Sequence, residues 1–267
     1  MPVHWAAAGG HTQAVEKLKA NINAQDYYGW APLHIAVMAR NERLIRDLYR
    51  MSADGEIKDK SGRTPLVLAC SERRWEVIQE LVNAGAKLDA VDLQGRTALH
   101  YVADRDASTA LISILTERMD DVSARGLADL QDQSGYTPLH LAAKHGNSAP
   151  VEALLEAGAE ANTTNNSNET PLFLGLRGAK TEEEAYRMAE ALVRHGDRLE
   201  FESADGESLI DVARRMNFAR VASYLEAEGE RVVEEKKTVW ENEGSGLSEW
   251  GVRQDDGFVP GENEEGR

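Results

Sequence analysis

Apolar residues recur along this chain in short bursts at helical spacing, separated by turns that carry Gly and Asp. Val77, Ile78, Leu81 and Val82 form one such burst, and Val151, Leu154 and Leu155 another. Positions i, i+3 and i+4 share one face of a helix, so each burst predicts a short amphipathic helix. Each ends at a glycine, Gly85 or Gly158, and Gly196 and Gly229 hold the same place further on. A glycine there can take the left-handed conformation that closes a helix. About twenty residues before these glycines lies a second apolar phrase, Thr137-Pro138-Leu139-His140-Leu141-Ala142-Ala143. Aligning its copies on the Leu position gives the anchors Val3, Leu33, Leu66, Leu99, Leu139, Leu172 and Ile210, with successive gaps of 30, 33, 33, 40, 33 and 38 residues.

Each element of the phrase has a physical role. Thr caps a helix by accepting a free N–H of its first turn. Proline suits the first helical position, where its missing N–H costs nothing. Five of the seven prolines, Pro2, Pro32, Pro65, Pro138 and Pro171, sit there. Four residues before the anchors stand Gly29, Gly62, Gly95, Gly135 and Gly206, with Asn168 as the sixth copy's substitute; Asp26, Asp59, Asp92 and Asp132 lie three residues further back. That order predicts a tight turn tied by a short carboxylate, then a helix, a loop, a second helix and a closing Gly. One such unit cannot bury its apolar faces alone, so stability comes from stacking against its neighbours. The fold class expected is all-α, a solenoid of about seven helix-turn-helix repeats with short β-turn fingers.

The thirty-three-residue period and the T-P-L-H-x-A phrase resemble the ankyrin repeat, over residues 1–229. The resemblance implies a structural role for His4, His34, His100 and His140 in a turn-to-turn hydrogen-bond network. It also implies a partner bound through the finger tips and the first helices on the concave side. Carried over by position, the candidate partner-binding residues are Tyr27, Tyr28, Trp30, Met38, Lys60, Arg63, Gln94, Arg96, Arg105, Gln133, Tyr136 and Lys144. Within this set Tyr27, Tyr28, Trp30 and Met38 concentrate aromatic and polarizable side chains of the kind that anchor interfaces. Lys60, Arg63, Arg96 and Arg105 form a cationic strip suited to an acidic peptide or helix.

The formal net charge of −16 argues against general nucleic-acid binding. Residues 230–267 hold eleven acids and five bases, a net of −6, and form an acidic tail. One helix is expected over residues 230–243, with Val232, Val233, Val239 and Trp240 along one side and disorder from Gly244. No stretch has the length and apolarity of a membrane helix. A single cysteine, Cys70, permits no internal disulfide and fits a reducing compartment, so the location expected is cytoplasmic or nuclear. Cys70 stands where the phrase has its second Ala and is expected to be a buried small residue. His145 and His195 stand alone. The run Glu182-Glu183-Glu184 reads as a solvated helix start, where the helix dipole favours negative charge. Two gaps exceed the period; the extra residues fall near 120–129 and 177–183, and insertions of this kind usually enter loops. Trp75 is expected to face the core, whereas Val3 and Trp5 have no preceding repeat to cover them.

No catalytic constellation, metal-ligand spacing or phosphate-binding loop is present, so no cofactor is expected. The leading functional expectation is a non-enzymatic, monomeric adaptor or scaffold that binds another protein. A repeat array followed by an acidic tail is also similar in layout to inhibitors that retain Rel-family transcription factors, in which case the tail would mask a basic surface of the partner. A third reading makes the chain the interaction module of a larger enzyme or channel.

Overall fold

The computed structural model describes residues 2–18, 21–104, 109–117, 126–196, 199 and 206–245, and side chains throughout these except at 232, 233 and 235–245. Arg105, the insertion near residues 120–125, the side chain of Trp240, and Trp250 and Phe258 of the tail lie outside what is described. The chain divides into two compact units, Met1–Leu225 and Glu226–Arg267.

Among the described residues fourteen helices form seven consecutive pairs, and residues 126–128, between the fourth and fifth pairs, are helical as well. They are α1 (Pro2–Ala8) and α2 (Thr12–Lys17), α3 (Pro32–Met38) and α4 (Glu42–Arg50), α5 (Pro65–Ser71) and α6 (Trp75–Asn83), and α7 (Ala98–Ala103) and α8 (Thr109–Thr116). Then follow α9 (Pro138–Lys144) and α10 (Ser148–Glu156), α11 (Pro171–Gly178) and α12 (Glu182–Arg194), and α13 (Leu209–Arg215) and α14 (Ala219–Ser245). Proline opens α1, α3, α5, α9 and α11 as its fixed φ predicts. The preceding Thr64, Thr137 and Thr170 hydroxyls each accept the backbone N–H three residues on, and Thr97 does the same for α7.

Within the first unit the odd-numbered helices pack one on the next from α1 to α13, and the even-numbered ones from α4 to α12. Two layers result, and the motif residues fill the space between them. All six anchors from Val3 to Leu172 are no more than 1% exposed, and the Ala pair Ala142 and Ala143 is buried with them. Small side chains there let neighbouring helices approach closely. Cys70 is buried in the same position, and burial pushes its thiol well above the usual range, as expected of a packing residue. Trp75 opens α6, half-buried against the core. Trp5, at the motif position held by the buried Leu68, Leu141 and Leu174 in later repeats, is 80% exposed.

Two features depart from the sequence expectation. The extra residues of the sixth repeat do not lengthen a loop. Three residues join α11 to α12, as three join α9 to α10, while α12 has thirteen residues where α4, α6 and α10 have nine. The insertion is therefore mainly one more helical turn, opened by a capping box between Thr181 and Glu184. Glu182, Glu183 and Glu184 occupy that first turn, as their reading as a helix start requires. The second departure is Gly229, which does not end a helix: α14 runs through it without interruption. Gly85, Gly158 and Gly196, by contrast, do take φ near +90°.

Candidate partner-binding surface

Five fingers are built by one device. Asp26 Oδ1 accepts from the backbone N–H of Tyr28 at 2.8 Å and of Trp30 at 2.9 Å. Asp59, Asp92 and Asp132 repeat this at residues 61 and 63, 94 and 96, and 134 and 136, and Asn165 does so with its amide oxygen. The turn residue behind each has positive φ, including Asn168 at 57°. At Gly135 a close approach selects glycine as well. A Cβ on Gly135 would lie 2.6 Å from the Asn166 nitrogen of the next finger.

The fingers are also joined to one another. Lys60 N–H donates to Tyr28 O at 3.1 Å, Leu93 to Ser61 at 3.0 Å, Gln133 to Gln94 at 2.9 Å and Asn166 to Ser134 at 3.1 Å. Histidines fasten this row to the helices. His4, His34, His100 and His140 donate from Nε2 to the carbonyls of Trp30, Arg63, Tyr136 and Glu169, at 2.9 to 3.1 Å. A carbonyl only accepts, so Nε2 carries the proton. In His34, His100 and His140, Nδ1 accepts a backbone N–H at 3.2 Å, which requires the neutral ring. Burial lowers the pKa of all three, that of His140 to about 4. The histidines are thus structural clasps, as the resemblance implied.

On this frame Tyr27 is 79% and Tyr28 65% exposed. Their rings meet edge to face at 5.5 Å, Trp30 lies 6.3 Å from Tyr28, and Lys60 Nζ sits 3.7 Å above the Tyr27 ring. The four residues form one cluster, with Trp30 half-buried beneath it. Met38 is half-buried at the end of α3. Gln94 and Gln133 are exposed at their tips, and Gln133 Nε2 donates to Leu93 O at 2.7 Å. Tyr136 packs edge-on to His140, with Lys144 Nζ 5.2 Å above its ring.

The cationic strip has a different character from the one expected. Arg63 lies 2.9 Å from Asp59 and 3.1 Å from Glu72, and Arg96 lies 3.2 Å from Asp132. Both guanidiniums are partly buried and spend their charge inside the finger row. Tyr101 joins them, donating to Asp92 Oδ2 at 2.6 Å beneath Arg96. Sequence reasoning assigned Tyr101 no role; its signal is a Tyr where the phrase usually carries Ile or Leu. Leu93, 66% exposed at its tip, extends the apolar row beyond the aromatic cluster.

Among the described residues no group of three or more His, Cys, Asp or Glu is arranged to hold a metal ion. No helix there is long and apolar enough to cross a membrane.

Paired helices in two layers, joined by a hydrogen-bonded row of turns, define a stacked-repeat protein. Three models of ankyrin repeats match residues 3–49, 39–125 and 122–173, and so span residues 3–173 without a break. The chain belongs to the ankyrin-repeat family. The transient receptor potential cation channel subfamily A member 1 homolog of Caenorhabditis elegans is 30% identical to it over 115 residues. That match covers 42% of this chain and 9% of the channel homolog, so the chain spans a small fraction of that relative. Among solved structures, the ankyrin repeat domain of Bcl-3, described as a unique member of the IkappaB protein family, has a TM-score of 0.68 at 25% identity, covering 82% of this chain and 98% of that one. A chain in the complex of the Bd0816 predatory endopeptidase from Bdellovibrio bacteriovorus with immunity protein Bd3460 has a TM-score of 0.57 at 26% identity, covering 72% and 97%. The human ASB11 ankyrin repeat domain, at 24% identity and a TM-score of 0.62 over 85% and 97%, shares the fold.

Proposed function

We propose that this chain is a non-catalytic adaptor that binds another protein through its finger tips and the adjoining first helices. The observation that carries this reading is the aromatic cluster on the first finger. Tyr27 and Tyr28 present large rings to solvent on a turn that is already fixed by Asp26 and by the neighbouring finger. Aromatics held in advance lose little entropy on contact and are enriched at interface hot spots. With Arg63 and Arg96 already ion-paired, the contact is aromatic and apolar at its centre, with Lys60, Gln94 and Gln133 around it. Ankyrin domains generally serve as protein-interaction modules, and one structural neighbour comes from an enzyme–immunity protein complex. Both support the same reading.

The test starts with capture of partners from a lysate on the full chain, followed by affinity measurement on the partner identified. Tyr28→Ala with Trp30→Ala is expected to weaken binding by about 2 kcal/mol or more, a hot-spot magnitude, with the far-UV helical signal unchanged. Unaltered affinity of the folded double variant would remove the first finger from the interface.

A further inference from the structure

Beside the start of α12 and the loop of the preceding repeat lies a half-open cavity of about 610 Å³. Its walls include Lys144, Gly146, Ser148, Gly178, Lys180 and Glu184. Two glycines let the walls meet. A Cβ on Gly178 would fall 2.0 Å from Lys144 O, and one on Gly146, at φ +71°, would fall 2.8 Å from Ala179 Cα. The inserted turn is held from its other side as well, because Glu182 accepts Arg220 N–H at 2.6 Å and Glu183 pairs with the Arg220 guanidinium at 2.8 Å. The cavity is therefore a fixed part of the fifth and sixth repeats.

Its polar groups are unevenly spent. Glu184 uses one carboxylate oxygen on the backbone N–H groups of Lys180 and Thr181, at 3.0 and 3.3 Å. Asp104, beyond the rim, is taken by His145 Nε2 at 2.6 Å; His145, a lone histidine in the sequence, also lines the cavity. Neither lysine ammonium has an ion-pair partner among the described residues: Lys144 lies over the Tyr136 ring, and Lys180 bonds only through its backbone N–H. Two lysines without an ion-pair partner thus line a polar cavity in which Glu184 already accepts two backbone N–H groups, in a chain of net charge −16. We propose that this cavity is a binding site for an oxyanion, the phosphate or carboxylate group of a side chain on a partner polypeptide. Lys144 and Lys180 supply the charge, and the volume beyond the anion takes the residues flanking it. Lys144 also belongs to the first-helix surface, so the site lies at the edge of that surface. Only the polypeptide carrier rests on the adaptor reading; affinity for the free anion does not.

The experiment is an amide-resolved NMR titration of the full chain, at constant ionic strength, with inorganic phosphate and separately with N-acetylglutamate amide. Saturable shifts are expected at residues 144–148 and 178–184, leaving the first finger unmoved. The double variant Lys144→Gln, Lys180→Gln should bind at least tenfold more weakly with its melting temperature unchanged, and Lys180→Arg with Lys144 intact should retain binding. Saturation by phosphate alone assigns a phosphorylated side chain, and saturation by the glutamate probe assigns an acidic one. No saturable shift with either probe, or shifts that persist in the double variant, would overturn the proposal.

Discussion

Replacing His140 with Phe tests the histidine clasp on this chain's own terms, because Phe173 already holds the equivalent place in the next repeat. The substitution keeps a ring of similar volume and removes three interactions. Glu169 O loses the Nε2–H donor at 3.0 Å, and the Thr137 N–H and hydroxyl lose their shared Nδ1 acceptor at 3.2 and 2.8 Å. Each buried group left unsatisfied costs about 1–3 kcal/mol, so the variant should be less stable by about 3 kcal/mol at pH 8. The penalty must also depend on pH. Burial holds the folded His140 at about 4, below the 6.5 of an ordinary histidine. The unfolded chain therefore takes up a proton first as pH falls. The neutral ring's contribution is full above about pH 6.5 and is lost progressively down to about pH 4. At pH 5 the wild type has lost about 2 kcal/mol through this residue by that linkage, whereas the Phe variant has no such proton to bind. The gap between the two proteins should shrink from about 3 to about 1 kcal/mol between pH 8 and pH 5. Urea unfolding followed by far-UV circular dichroism at the two pH values measures it, provided the two proteins share the same slope. A gap that is constant with pH would refute the neutral, buried clasp.

Glycine substitutions separate the two kinds of turn. Gly135→Ala should cost at least about 2 kcal/mol in urea unfolding, since φ +77° is unfavourable for Ala and the added Cβ meets the Asn166 nitrogen. Gly229→Ala should stabilise α14 by up to about 1 kcal/mol, because Gly229 lies within a helix with open space around it; a loss of helical signal on thermal melting would contradict that placement.

Much of this fold is legible because its constraints are local. A turn that needs φ > 0 selects Gly, or Asn at 168, and the same turn needs the short acceptor of Asp26, Asp59, Asp92 and Asp132. Helix starts select Pro, and the His phrase recurs at the same offset from it. The illegible parts depend on which element absorbs a residue or on contacts between repeats. A period of 38 counts five extra residues but does not say that most of them extend α12. Glycine at 229 satisfies a closing rule that a continuing helix overrides at modest cost. The surface was read least well where charge mattered. Arg63 and Arg96 look like free cations in the sequence. Arg63 finds its partners within its own repeat, Asp59 in the same turn and Glu72 at the end of the adjoining helix. Arg96 instead meets Asp132 on the next finger, a distance that only the stacked fingers close. The aromatic cluster was legible, because consecutive tip positions share one turn.

Hydrogen exchange of the full chain, with and without a captured partner, tests most directly whether the fingers and first helices form the binding surface. Protection on binding should fall on residues 26–30, 59–63, 92–96 and 132–136 and on α3, α5, α7 and α9. Protection confined to α4, α6, α8 and α10, with the fingers exchanging as in the free chain, would contradict the account.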